Sequence, residues 1–190
     1  MEHPVTAIYD ANVLYPAPLR DLLIRVAQAG LVRGRWTETI HQEWMRSVLA
    51  NNDAISEERL DRTRRLMNDA VRDCLVTGYE DLIDSLSLPD MDDRHVVAAA
   101  IRADAEVIIT FNLKHFPSQV LAKYHLDAIH PDDFLASLLA AMPEEVCAVV
   151  KRQREALRSP PKTVDELLAT LLSQGLPQTV DQLSKRKDLL

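Results

Sequence analysis

Acidic residues stand at the ends of predicted strands and helices in this chain. Asp10 follows a short apolar run, residues 5–9, whose β-branched content predicts a buried strand. Asp90 and Asp93 directly precede an alanine-rich helix, and Asn112 follows a second apolar run. Ligands of open α/β sheets bind at the carboxyl edge of the strands. Because carboxylates gathered at one edge repel one another unless a cation joins them, this pattern predicts a divalent metal and phosphate chemistry.

A further acid, Glu43, lies on the helix after the second predicted strand, where it could lean over the same edge. Hard oxygen ligands favour Mg²⁺ or Mn²⁺ over thiophilic metals. The pattern does not decide between one ion and two. We predict that the metal ligands are Asp10, Glu43, Asp90 and Asp93, and that the catalytic residues are these four together with Asn112.

Each of these residues also has a purely structural interpretation. Asp10 and Asn112 are of the types that form turns, and Asp90 could cap the following helix. Glu43 on a helix is often simply solvated. The prediction therefore depends on their convergence in three dimensions.

Strands alternate with helices along the first 130 residues. Strands are predicted at residues 5–9, 31–36, 75–76, 106–110 and 128–130. Helices are predicted between them, including one begun by Thr37 or Thr39, one begun by Ser56 and one over residues 93–103. This alternation predicts an α/β fold in three layers, α/β/α, around a mostly parallel sheet.

From Pro131 onward the pattern is helical only. Apolar spacing predicts helices over 132–141 and about 144–157, and two start signals follow at Thr163 and Thr179. We expect a first domain over residues 1–135 and a helical C-terminal module over 136–190.

The composition is that of an ordinary globular protein, with 47% hydrophobic and 27% charged residues. The net charge of −7 argues against binding nucleic acid by bulk attraction, but not against meeting phosphate through a metal. The two cysteines are too few for a disulfide framework. Since neither a membrane-spanning tract nor a signal-peptide pattern is recognisable, we expect a cytoplasmic protein without membrane partners.

Four segments together resemble a known family. The segments are residues 9–14, Glu43, residues 90–100 and residues 107–117. They resemble the PIN-domain ribonucleases, and most closely the VapC-type toxins of bacterial toxin–antitoxin pairs. The helical tail is similar to a C-terminal domain found on some PIN proteins.

The resemblance implies a Mg²⁺- or Mn²⁺-dependent endoribonuclease acting as the toxin of a type II pair. It further implies an RNA substrate, a cognate antitoxin protein and a homodimer. Asp10, Glu43, Asp90 and Asp93 match acids of the family motif. Asn112 falls where many relatives carry a fourth aspartate, which weakens a second metal position.

Two other interpretations are considered. A non-catalytic RNA- or protein-binding PIN-like module is the alternative that Asn112 favours. A phosphohydrolase acting through an aspartyl-phosphate is disfavoured, because the segment from Asp10 to Asn12 lacks the second aspartate of such enzymes. His95 is expected to point away from Asp93 as a packed or surface residue, and His115 has no assigned role.

Overall fold

The computed structural model describes residues 4–190. Its strands are Thr6–Tyr9 (β1), Arg33–Arg35 (β2), Val107–Ile109 (β3) and Asp127–Ile129 (β4). The helices before residue 131 are Ala11–Leu14 (α1), Ala17–Gln28 (α2), Glu38–Asn51 (α3), Glu57–Ala70 (α4), Glu80–Ile83 (α5), Arg94–Arg102 (α6) and Ser118–Leu121 (α7). The helices after it are Pro131–Ala141 (α8), Pro143–Ala156 (α9), Val164–Ser173 (α10) and Pro177–Ser184 (α11). Short 3₁₀ turns lie at Leu113–His115, Ala122–Tyr124 and Lys187–Leu189.

The four strands form one sheet in the order β2-β1-β3-β4, and every neighbouring pair is parallel. Every residue of β1 is buried, as expected of a strand with helices on both faces. The predicted α/β/α fold around a parallel sheet is confirmed. Because β1 and β3 are neighbours, their carboxyl ends meet, and the Asp10 amide donates to the Ile109 carbonyl at 3.1 Å.

The strand predicted at residues 75–76 is reduced to one isolated bridge between Leu75 and Trp36. The residues around it end the extended backbone on both sides. Asp73 and Gly78 have φ angles of 54° and 68°, in the left-handed region. Beyond β2, the sheet formed by residues 4–190 is therefore extended by this single bridge and not by a fifth strand.

Helix α3, which carries Glu43, begins at the first of its two predicted caps. The Thr37 hydroxyl accepts from the Ile40 amide at 3.1 Å. The alternative cap Thr39 lies inside α3, and its hydroxyl is 2.8 Å from the Tyr79 hydroxyl. This start fixes which face of α3 turns toward the end of β1.

Helix α6 packs against β1 and β3. Residues 95–100, which include three consecutive alanines, are all buried. Small side chains let a helix approach a sheet closely, so the N-terminus of α6 is held near the sheet edge. Asp93 is the residue immediately before that terminus.

The C-terminal helices begin partly as predicted. Thr163 forms a capping box with Glu166 at the start of α10. Helix α11, however, begins at Pro177, two residues before the predicted start at Thr179. The reason is a cap from another helix, since the buried Asp132 side chain of α8 accepts from the amides of Gln178 and Thr179.

The helices after residue 130 pack on the first part of the chain, mainly through α9 and α10 against α2. The Gln153 side chain, for example, donates to the Pro18 carbonyl at 2.9 Å. The proposed division between residues 135 and 136 falls within α8 and stays a prediction. Among residues 4–190, no helix combines the length and the apolar composition that a membrane-spanning segment needs.

Candidate metal centre

Asp10 lies at the carboxyl end of β1, where the backbone turns directly into α1. Its residue surface is 5% exposed. Oδ1 accepts from the Ala11 amide at 2.6 Å, so the carboxylate caps α1. Oδ2 accepts from the Asn12 side-chain amide and from the Thr110 hydroxyl, both at 2.6 Å. Three donors therefore fix this carboxylate in one orientation.

The surroundings of Asp10 oppose its charge. Burial, the largest influence, raises the pKa of Asp10 from 3.8 to about 6. The negative charges of Asp93 and Glu43 act in the same direction, while the hydrogen bonds from Thr110 and Ala11 act against it. A carboxylate held in this way is a good ligand, because a cation would relieve both the burial and the repulsion.

Glu43 reaches the same place from α3. Its Oε1 lies 2.9 Å from Nε2 of His95, which is on α6. The His95 side chain is 10% exposed and that of Glu43 is 33% exposed. The buried ring therefore holds a partly exposed carboxylate at the mouth of the site.

Asp93 precedes α6 and is held from the other side. Its Oδ2 lies 2.7 Å from Nδ1 of His115, in the 3₁₀ turn after β3. Burial raises the pKa of Asp93, and the bond to His115 offsets part of that rise. Two acids of the site are thus each paired with one imidazole.

A cleft of about 440 Å³ gathers most of the predicted residues. Asp10, Glu43, Asp93 and Asn112 all line it. The structure therefore brings together four of the five predicted site residues, from the ends of β1 and β3, from α3 and from the start of α6. Larger cavities exist, but one of about 550 Å³ between the start of β1 and α8 is lined by no titratable side chain.

Asp90 lies beside this cleft but does not line it. Its Oδ2 is 3.6 Å from Nδ1 of His115. Ligand atoms of Asp90, Asp93 and His115 lie within 4.8 Å of one another, which makes them a group able to hold a metal ion. Asp93 belongs to both the cleft and this group.

Sequence reasoning gave no role to four residues that contact the acids: Asn12, Thr110, His95 and His115. Of the packed and surface positions expected for His95, the structure shows the packed one, and its ring contacts Glu43. Asn12 lies two residues after Asp10, and Thr110 follows β3 two residues before Asn112. This closeness to predicted site residues is the sequence feature that could have identified them. No local pattern announces the two histidine contacts, because each joins separate elements.

The donors present fit a hard divalent cation. The groups that line the cleft are carboxylate, amide and hydroxyl oxygens, with the imidazoles of His95 and His115 beside them, and oxygen donors are what Mg²⁺ and Mn²⁺ prefer. The pKa of Asp10 is raised mainly by burial and further by Asp93 and Glu43, and a bound cation would relieve both effects.

The fold and the acid cluster define the class of α/β/α proteins that carry an acidic centre at the carboxyl edge of a parallel sheet. Residues 6–114 match the family model described as the PIN domain, so the chain belongs to the PIN-domain family. Residues 131–185 match the model described as the VapC50 C-terminal domain. The predicted resemblance is confirmed for both parts of the chain.

One curated relative supports the same kinship. Over 101 residues the chain is 46% identical to a protein of Mycobacterium tuberculosis (strain ATCC 25618 / H37Rv) named "Putative ribonuclease VapC50". The matched stretch covers 53% of this chain and 59% of the relative. The chain therefore spans about three fifths of the length of this relative.

Proposed function

We propose that this chain is an endoribonuclease that hydrolyses phosphodiester bonds of RNA with the help of a divalent cation. One observation carries the proposal: Asp10, Glu43 and Asp93, which are distant in sequence, line a single cleft at the carboxyl edge of the sheet. Membership of the PIN-domain family supports the nuclease class, and the name of the relative supports RNA as the substrate.

The proposed ligands are Asp10, Glu43 and Asp93, with Asp90 alongside. When bound, Mg²⁺ or Mn²⁺ lowers the pKa of a water molecule and neutralises the charge that builds on an attacked phosphate. The donors on the Asp10 carboxylate keep it aimed at the cleft, and His95 and His115 do the same for Glu43 and Asp93.

Asn112 has a proposed positioning role. It lines the cleft, and its backbone amide is tied to the Thr110 hydroxyl at 3.0 Å. Its side-chain amide has no hydrogen-bond partner within residues 4–190, so it is available to orient water or a phosphate oxygen.

As part of the same proposal, the chain is the toxin of a type II toxin–antitoxin pair, with an antitoxin protein as partner and a second copy as homodimer. Kinship with VapC-type proteins supports this assignment. Residues 136–190 would form the helical C-terminal module.

The test compares Asp10→Asn with Asp84→Asn, an exposed acid outside the cleft. We expect Asp10→Asn to slow Mg²⁺- or Mn²⁺-dependent RNA cleavage by at least about 100-fold, because losing a ligand should exceed the usual effect of losing an outer partner. Asp84→Asn should cleave like the wild type, and chelation should stop both. Equal rates for Asp10→Asn and wild type would contradict the assignment.

A non-catalytic PIN-like binding module is the second candidate, and the amide of Asn112 in the cleft favours it. Calorimetric titration of the wild-type chain with Mn²⁺ separates the two. The nuclease proposal expects heat of binding that Asp10→Asn abolishes, whereas the binding module expects no heat in either protein.

A further inference from the structure

An aromatic side chain borders the acid cluster. Tyr15, just after α1, lines the same cleft as Asp10 and is 38% exposed. Its hydroxyl makes no hydrogen bond to any residue in the described range. A single exposed aromatic is ordinary on a protein surface, so its significance depends on how it is held and on what lies opposite.

The backbone of Tyr15 is held by the half-buried guanidinium of Arg20. Nη1 of Arg20 donates to the carbonyl of Leu14 at 2.6 Å and to that of Tyr15 at 3.3 Å. The same guanidinium lies 4.5 Å from the centre of the Trp44 ring, which is fully buried. The Tyr15 amide also donates to the Ala11 carbonyl at 2.9 Å. The tyrosine is therefore anchored at its backbone while its ring stays accessible, as a preorganised contact surface should be.

Polar groups face the same cleft from α3. Glu43, Ser47 and Asn51 recur every four residues, so they share one face of the helix, and all three line the cleft. The Asn51 side chain donates to the Ser47 carbonyl at 2.7 Å. Within the described chain, Oδ1 of Asn51 and the Ser47 hydroxyl have no protein partner.

The cleft lacks positive charge. Its nine lining residues include three acids and no lysine or arginine. A nucleic acid seated here would gain nothing from direct ion pairs with the lining side chains, so contacts to its bases add to the attraction that a bound cation supplies. Stacking on an aromatic ring is the contact that every base can make.

We propose that Tyr15, Ser47 and Asn51 form a nucleotide-base subsite beside the acid cluster. Tyr15 stacks on one unpaired base, and the two polar side chains hydrogen-bond to the edge of that base or to the ribose hydroxyl. The inference rests on the proposed function and names the substrate more closely. Because both faces of a base are covered inside a duplex, the subsite accepts unpaired RNA and rejects paired RNA.

The test measures equilibrium binding of fluorescent uridine and adenosine oligomers to the full chain by anisotropy. Ca²⁺ replaces Mg²⁺, and the RNA is checked for integrity after each titration. Tyr15→Ala and Tyr15→Leu should raise Kd by roughly 5- to 100-fold, the range expected for the loss of one stacked base. Tyr15→Phe, which keeps the ring, should bind within about twofold of wild type. The Leu variant separates stacking from simple apolar cover.

An oligomer of abasic ribose phosphate supplies the matching change in the ligand. It should bind the wild type and Tyr15→Ala equally, because no base remains for the ring to contact. Annealing the RNA to its complement should weaken binding to the wild type by a similar factor. Calorimetric Mn²⁺ affinity should be the same in Tyr15→Ala and wild type, which shows that the acid cluster is intact.

Several results would overturn the subsite: RNA that is not bound, Kd values that do not depend on Tyr15, equal affinity for abasic and base-bearing chains, or loss of Mn²⁺ affinity in Tyr15→Ala. The proposed function fails separately. RNA binding that depends on Tyr15, without any metal-dependent cleavage, would support the subsite and contradict the nuclease proposal. Metal-dependent cleavage with binding that does not depend on Tyr15 would support the nuclease and contradict the subsite.

Discussion

At the scale of single residues, His95 positions one acid of the candidate metal centre. Nε2 of His95 lies 2.9 Å from Glu43, and since a carboxylate can only accept, this nitrogen carries the proton. The other ring nitrogen, Nδ1, is buried without a partner among residues 4–190. The ring thus has one polar contact in the described structure, and that contact fixes Glu43.

We expect His95→Asn to weaken Mn²⁺ binding and metal-dependent cleavage by about 10- to 100-fold, as is usual when an outer partner of a metal ligand is lost. His95→Gln should restore part of the affinity, because its amide nitrogen reaches the position of Nε2. The measurements are Mn²⁺ calorimetry and thermal melting.

The control is His125→Asn, an exposed histidine whose φ of 56° asparagine tolerates. It should behave as wild type in both measurements. If His95→Asn binds Mn²⁺ normally, or if its only defect is a lower melting temperature, His95 does not position Glu43.

At the scale of elements, the cap of α11 shows how two helices are joined. The Asp132 carboxylate is 2% exposed, and it accepts from the Thr179 amide and hydroxyl, both at 2.8 Å, and from the Gln178 amide at 2.9 Å. These amides are donors that the start of a helix leaves without internal partners. One side chain of α8 therefore satisfies the first turn of α11.

Asp132→Ala should lower the free energy of unfolding by about 2–4 kcal/mol, because buried donors lose a charged acceptor. Urea denaturation followed by circular dichroism gives the value, provided that the slope with denaturant is unchanged. The neighbouring exposed acid gives the comparison, and Asp133→Ala should cost less than about 1 kcal/mol. Similar losses of unfolding free energy in Asp132→Ala and Asp133→Ala would contradict a stabilising role for the cap.

At the scale of the whole molecule, a relay of contacts links the C-terminal helices to Asp10. The turn between α10 and α11 packs on Phe111, whose ring would lie 3.7 Å from a Cβ at Gly175. The Phe111 amide in turn donates to the Asn12 side chain at 3.1 Å, and Asn12 donates to Asp10. The segment that carries Thr110 and Asn112 is therefore supported from both sides.

Stability of the whole chain should depend on pH and metal together. The pKa of Asp10 is about 6 in the folded protein against 3.8 as its ordinary value. A raised pKa means that the proton stabilises the fold, so this contribution is present below about pH 4 and is lost as the pH rises through 6. Without metal, the free energy of unfolding of Asp10→Asn should therefore rise relative to that of the wild type by ~3 kcal/mol between about pH 4 and 7.

Thermal melts of the wild type and Asp10→Asn in the presence of a chelator, across this pH range, test the expectation. The informative quantity is how the difference between the two melting temperatures changes with pH. Added Mn²⁺ should raise the melting temperature of the wild type more at about pH 7 than at about pH 5, because protons compete for the same carboxylates. A difference between the proteins that stays constant with pH would contradict the raised pKa.

A mostly parallel sheet and a set of candidate site residues at its edge could be predicted from the sequence alone. Short apolar runs separated by helical spacing are local signals, so β1, β3, α3 and α6 were predictable, and the parallel order brings their acid-bearing ends to one edge. Asp10, Glu43, Asp93 and Asn112 accordingly line one cleft, and their role in catalysis stays a prediction.

The partners of these acids, and the cap of α11, are visible only in three dimensions. His95 and Glu43 are 52 residues apart, His115 and Asp93 are 22 apart, and Asp132 reaches Thr179 across 47 residues. Such contacts depend on the angle and rotation with which two elements pack, and the period of a helix or strand does not encode these. For the same reason Asp90 matched a family acid in sequence yet lies beside the cleft, next to His115, rather than within it.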